Sequence, residues 1–415
     1  MPNQTVEHFR LANGLTTIIE PMPDVQSAAF TLLVPGGAVV EPEAANGTAA
    51  VLVDWMTRGA GDRDSQQFSS ALENLGLQHS ESSGISHLSF SGATVATNLP
   101  AAIGLIAEMI RQPRLPEDQF AAAHAGVEQS LRSIEDEPRQ KVMLELRRRT
   151  YESPWGRPSD GTLDEMPNVT PEVVRHHYRR CIQPTDCILG VAGRVDPEGI
   201  GRLVEQLFGD WAPSEPLDVH QGERGTRFEH LPSESAQTHI GIAYDAVPYN
   251  HRDYYAAWAA VGVLDGGMSS RLFTEVREKR GLCYSVSAGL SSLPGHGRVL
   301  CYAGSLPERA QETLDVIIQE LQKLSKGIRV DELDRCKARA KSSLIMQQES
   351  TTARSSVMTR DWLHLGRVVP LSEVREGIEA LTPERVLTYV EAHPARDFTV
   401  LTIGPTALEV PDAVS

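Results

Sequence analysis

The sequence predicts an α+β protein of two similar halves, each a largely antiparallel sheet flanked by helices. Three observations carry this. Strand signals arrive as hairpins and helical stretches as pairs, the order expected of antiparallel sheets. The order of elements in the first half returns in the second. Thr170-Pro171-Glu172-Val173-Val174 leads into a strand at 186–191, and Thr382-Pro383-Glu384-Arg385-Val386 leads into one near 397–403. These two segments lie 212 residues apart (382 less 170), about half of the 415-residue chain, as a duplication requires.

Residues 6–20 read as a hairpin about Asn13-Gly14, a strong turn signal. Residues 27–41 contain a strand that ends at Pro35-Gly36-Gly37. Thr48–Thr57 is a helix so apolar (Val51, Leu52, Val53, Trp55, Met56) that it must be buried. Gln66–Leu75 is the next helix, closed by Gly76, and strand-like alternation runs from Gln78 to Ala93. Helices are expected at 99–111, 116–136, 138–150, 170–180 and 197–208. In the second half, 235–247 is a strand like 27–41, and a helix at 251–263 precedes Gly266-Gly267. Gly281–Ser285 parallels Gly76–Ser80, and Gly327–Met346 parallels Arg114–Ile134. The polar stretch from Pro213 reads as a linker. The expected division is therefore an N-terminal domain 1–212, a linker 213–230 and a C-terminal domain 231–415.

Composition bounds the function. The chain is 40% hydrophobic and 23% charged, as a soluble globular protein is, and its net charge is −16. That balance argues against a nucleic-acid or anionic-membrane binder. No run approaches a membrane span, and residues 1–15 lack the basic start and apolar core of a signal peptide. Cys181, Cys187, Cys283, Cys301 and Cys336 are odd in number and lack metal-binding spacing, which suits free thiols and a cytoplasmic location.

Chemistry concentrates in Ser269–Ser287. Ser269 or Ser270 can cap a helix carrying Leu272, Phe273 and Val276 at helical spacing, with Arg277, Lys279 and Arg280 in its last turn and Gly281 as its stop. A strand begins at Leu282. Arg277 at a helix end and Tyr284 at a strand start can reach one surface. There a guanidinium and a phenol could hold a peptide carbonyl or the negative charge developing on it. Spacing alone favours the plainer reading, an exposed arginine and a tyrosine packed at a strand edge.

The run Gly266-Gly267-Met268-Ser269-Ser270-Arg271-Leu272-Phe273, with Val276-Arg277-Glu278 and Gly281-Leu282-Cys283-Tyr284-Ser285, closely resembles the second-half signature of the pitrilysin/insulinase-type zinc peptidases. The similarity is nearest to the branch of the mitochondrial processing peptidases and their small bacterial relatives. Asn13-Gly14-Leu15, Pro35-Gly36-Gly37, the loop Pro154–Gly161 and Gly193-Arg194-Val195-Asp196 extend it over nearly the whole chain. The resemblance implies an inverted zinc motif, His-x-x-Glu-His, on the helix near 50, completed by a later Glu. Here the two His positions are Ala50 and Asp54, the general-base position is Val53, and the later Glu position is Ser130. One carboxylate does not make a zinc site, so no cofactor is expected in this chain. His124 and Glu128, four apart on one helix, are the remaining pair that could meet a metal, against a plain surface ion pair. No Gly-x-Ser-x-Gly or phosphate loop is present.

In this branch the enzyme is often a heterodimer whose subunits face each other as the halves of a clamshell. One carries zinc; the other supplies an arginine and a tyrosine near the scissile bond. Carried over, those are Arg277 and Tyr284. The resemblance thus implies a non-catalytic, substrate-binding subunit, a zinc-bearing homologous partner, and a peptide substrate bound extended along a sheet edge. The acidic composition suits peptides with basic residues. Only Asp265-Gly266-Gly267-Met268 stands where the zinc-free processing subunit carries a long glycine-rich loop, so a presequence-gripping role is not implied. The alternatives are a structural or peptide-binding core protein of this fold without proteolysis, and a self-sufficient peptidase with a relocated metal site.

Overall fold

The computed structural model describes residues 4–410 and divides into two compact units. Unit 1 holds residues up to 133, 157–221 and 346–369; unit 2 holds 134–156, 222–345 and the remainder. The packing units are therefore not contiguous in sequence, unlike the expected halves 1–212 and 231–415.

In unit 1, β1 (Glu7–Arg10) and β2 (Thr16–Pro21) form the hairpin about Asn13-Gly14, where Gly14 takes φ +97°. With β3 (Ser27–Pro35), a short ladder of β4 (Gly59–Ala60) and β5 (Arg63–Asp64), β6 (Gln78–Ser82), β7 (His87–Val95) and β8 (Ile188–Gly193), the strands are complete. The main sheet runs β1-β2-β8-β3-β7-β6, with β2 and β8 its one parallel pair. The stretch 78–93 is thus a hairpin of two strands rather than one run.

In unit 2, β9 (Phe228–Pro232), β10 (Thr238–Ala246), β11 (Cys283–Leu293), β12 (His296–Ser305) and β13 (Thr399–Gly404) form a sheet in the order β11-β12-β10-β13-β9. Its one parallel pair is β13 with β9. Read from β6 and from β11, the two sheets have the same order and the same parallel pair, which is the duplication in structural form. Residues 212–226 carry no helix or strand, but 228–230, expected in the linker, open β9. This edge strand gains order by pairing beside β13, which its own sequence does not announce.

Each sheet is covered by a helix from the other half of the sequence. Val142 and Leu146 of the helix Pro138–Thr150 pack with Ala243, Leu300, Tyr302, Leu401 and Ile403 of the second sheet. Met358 of the helix Thr351–Leu365 packs with Ile18, Ile188 and Ala192 of the first. Glycine makes both approaches possible: a Cβ on Gly190 would lie 2.6 Å from Ser355 O, and one on Gly241 would lie 3.2 Å from Val142 Cγ2. On β3, Thr31 bonds Ser355 of the covering helix at 3.0 Å, while Phe30 and Leu32 alternate to the opposite face and are buried. Among the described residues, no helix is long and apolar enough to cross a membrane.

Candidate functional site

The helix beginning at Arg271 is not α-helical throughout. Phe273–Glu278 form a π-helical turn, closed by Lys279 N donating to Thr274 O at 2.9 Å. One extra residue per turn rotates the residues beyond it, and such turns gather at functional sites. The expected serine cap is not formed: neither Ser269 nor Ser270 caps this helix, and the Ser270 hydroxyl is buried without a hydrogen-bond partner among the described residues. Ser270 is instead tied in through its backbone, accepting from Thr274 N at 2.9 Å.

Arg277 lies in the last part of the π-turn. Its guanidinium lies 4.9 Å from the Phe273 ring centroid and pairs with no carboxylate among the described residues. Beyond Gly281, at φ +59°, the chain enters β11, the edge of its sheet. Cys283 pairs with Ser305 and Ser285 with Gly304, so Tyr284 is the extra residue of a β-bulge. A bulge re-aims the side chain at its tip, and Tyr284 is 63% exposed. Its phenol bonds no described residue. The Arg277 charge reaches the residue beside it: burial pushes the Cys283 thiol up to about 11, with Arg277 pulling the other way.

Arg277 lines a hollow of about 730 Å³ with Phe273, Met268, Ser269, Arg329 and Arg335; Tyr284 lies outside this lining. A pocket of about 90 Å³ shares Met268, Ser269 and Arg335 with it and reaches Ser270. Arg329 and Arg335, at the start of the helix Val330–Gln348, are not singled out by the sequence. Phe273 read only as one residue of an apolar stripe. A ring four residues before an arginine was the available signal for its second role.

The helix Thr48–Met56 holds the positions where the resemblance expects a metal. Its start is built with care. Gly47, at φ +114°, has no side chain to cap it, so the buried Glu41 carboxylate accepts from Gly47 N at 3.1 Å and Ala49 N at 2.6 Å. The face toward the expected site is inert. Ala50 and Val53 are buried and offer no lone pair. Asp54 accepts from Arg58 Nε at 2.6 Å, and its other oxygen lies 3.4 Å from the point a Cβ on Gly126 would occupy. Ser130, one turn further along the helix Glu117–Glu135, donates to Gly126 O. His124 and Glu128 are drawn apart: His124 Nε2 bonds Met166 O at 2.9 Å, and Glu128 pairs with Arg132 at 2.6 Å. Among the described residues, no group of three or more His, Cys, Asp or Glu could hold a metal ion. These residues do not fit zinc.

Comparison with known proteins agrees with the architecture. A family model described as insulinase (peptidase family M16) matches residues 16–162, and one described as the peptidase M16 inactive domain matches 168–340. An uncharacterized zinc protease of Streptomyces coelicolor is 26% identical over 412 residues, covering 97% of this chain and 90% of its own. One of Bacillus subtilis is 24% identical, covering 97% and 98%. Among solved structures, a peptidase M16 inactive domain from Pseudomonas fluorescens superposes with a TM-score of 0.87 at 21% identity, covering 98% of this chain and 99% of its own. A protease from Helicobacter pylori superposes at 0.88 and 20%, covering 98% and 100%. Fold, duplication and the two matched segments define a peptidase-type architecture of two related halves. The chain belongs to the insulinase family of peptidases, family M16.

Proposed function

We propose that this chain is the non-catalytic, substrate-binding subunit of a two-subunit zinc endopeptidase. Arg277 and Tyr284 complete the active site of a homologous, zinc-bearing partner. What supports the reading is one coincidence. The two residues sit at the two local irregularities of this region, a π-helical turn and a β-bulge, and each presents a polar head that no described residue hydrogen-bonds or pairs with. Irregular backbone is retained where it aims a side chain. A guanidinium and a phenol are donors for a carbonyl oxygen as it gains charge during water attack. Held in place beforehand, they need no reorganisation at that moment. The helix Thr48–Met56, with its start held by Glu41, its first ligand and general-base positions aliphatic in Ala50 and Val53, and Asp54 paired with Arg58, suits a chain that keeps the family's frame while its partner activates water. The compartment we assign is the cytoplasm, in keeping with five free, buried cysteines.

The test is reconstitution. Mixed with the zinc-bearing homologue, the chain should yield peptide cleavage that neither shows alone. Arg277→Ala and Tyr284→Phe should each lower kcat about a hundredfold, a loss of about 3 kcal/mol of transition-state stabilisation, with the zinc content of the complex unchanged. Undiminished turnover in both variants disposes of the role. Peptide cleavage by the purified chain alone, with bound zinc, would overturn the non-catalytic reading. Stable assembly with an unrelated protein and no proteolysis would leave the structural alternative.

A further inference from the structure

The hollow beside Arg277 carries more positive charge than its surroundings explain. Three guanidinium groups line it, Arg277, Arg329 and Arg335, in a chain of net charge −16. Arg329 and Arg335 share one carboxylate, Asp331, at 2.9 and 2.8 Å. Glu332 is already committed: it accepts from Arg271 at 2.9 and 2.8 Å and from Arg329 N at 3.0 Å. Glu278 is the one carboxylate in the lining itself. Three cations thus face two available anions, and one of those serves two arginines.

A second, independent observation lies deeper. Ser270 is only 7% exposed, its hydroxyl is unpartnered among the described residues, and it lines the 90 Å³ pocket that Arg335 and Ser269 join to the hollow; the carboxylate in that pocket's lining, Glu332, is the one already held by Arg271 and Arg329 N. A buried hydroxyl left unsatisfied costs about 1–3 kcal/mol, so the fold keeps it for a partner that arrives from outside. At about 30 Å³ per water, the pocket takes a group of carboxylate size. Met268, 78% exposed, and Phe273 supply an apolar approach to it.

We propose that this pocket is a carboxylate-binding subsite for peptides, in which the bound oxygens meet the Arg335 guanidinium and the Ser270 hydroxyl. The inference rests on the reading of Arg277 as part of a substrate surface and gives that surface a preference: peptides with a carboxylate within reach of the π-turn. It reverses the expectation drawn from net charge, because short-range contacts with fixed cations outweigh a screened global charge.

The experiment is fluorescence anisotropy of the full chain with labelled extended peptides. One C-terminally amidated peptide carries a central Glu and a second carries Gln there. A third is the Gln peptide with a free C-terminus. The Glu or the free-terminus peptide should bind about tenfold more tightly than the amidated Gln peptide, as a charge-assisted pair allows; which of the two does so identifies the carboxylate as side-chain or terminal. Arg335→Gln and Ser270→Ala should erase the preference, and Asp331→Asn, which frees both arginines, should increase it. Equal affinity for all three peptides, or binding of none, overturns the proposal without any variant being needed. The oxyanion role fails separately. A carboxylate preference beside normal turnover in Arg277→Ala leaves the subsite standing, and impaired turnover without a preference leaves only the oxyanion role.

Discussion

Replacing Arg354 with Met is the sharpest test of how the first sheet is covered. Arg354 is fully buried on the helix Thr351–Leu365, and its partner Glu20, on β2, is 7% exposed. Arg354 Nε donates to Glu20 Oε2 at 2.8 Å, and Nη2 lies 2.7 Å from the same oxygen. Among the described residues, the other Glu20 oxygen receives only the Gln4 amide, at 3.2 Å. Removing the guanidinium therefore strands a carboxylate in the interior. Breaking a buried pair from one side costs about 3–5 kcal/mol. Arg354 Nη1 has no hydrogen-bond partner among the described residues, so the pair is not fully satisfied. We expect the low end, about 3 kcal/mol. Removing both charges, in Glu20→Gln with Arg354→Met, should recover most of that loss, since a buried pair is worth little against a neutral replacement. Urea unfolding followed by tryptophan fluorescence measures it, Trp362 lying on the same helix. A loss under about 1 kcal/mol in the single variant, or a double variant as unstable as the sum of its singles, would refute the account.

Three further outcomes are expected. Burial pushes the Glu41 carboxyl up to about 7, against the hydrogen bonds from Ala49, Asn46 and Gly47. The folded chain therefore favours the protonated form, and this contribution is complete below 4.5 and lost as pH rises to about 7. Compared with Glu41→Gln, the wild type should lose about 3 kcal/mol across that range. The comparison must be by difference, because burial holds His87 and His177 down at about 4, and they lose stability in the opposite direction as pH falls. Gly190→Ala should cost about 1–3 kcal/mol by forcing a methyl against Ser355 O, whereas Gly241→Ala meets only side chains and should cost less; thermal unfolding ranks the two. Phe273→Leu removes the ring under Arg277 and should slow the reconstituted enzyme about threefold, from a contact worth about 0.5–1 kcal/mol; unchanged kcat would show that the ring does not hold the guanidinium.

Local chemistry decides the part of this fold that is legible in the sequence. Asn13-Gly14 announces its hairpin, and the helices 99–111 and 197–208 fall where periodicity puts them. The helix Thr351–Leu365 is opaque because the residues it buries include Thr351, Arg354, Ser355, Thr359 and Asp361, so it carries no apolar stripe. Its helical cover depends on Thr31, Glu20 and Gly190, residues far away in sequence. The site divides the same way. Arg277 and Tyr284 can be named from the motif, but the π-turn and the bulge each add a single residue to a regular pattern, which a period of 3.6 or 2 does not resolve. The subsite needs Arg335 beside Ser270, a proximity made only in three dimensions.

The exchanged helices bear on how such a chain can be divided. A cut in the unstructured stretch 212–226 would separate Pro138–Thr150 from the sheet it covers, and likewise Thr351–Leu365 from its own. Neither fragment would have a complete core, so a gene split at that point should yield soluble product only when both pieces are made together. The duplicated halves have become mutually dependent, and shuffling one of them alone into another protein is closed off.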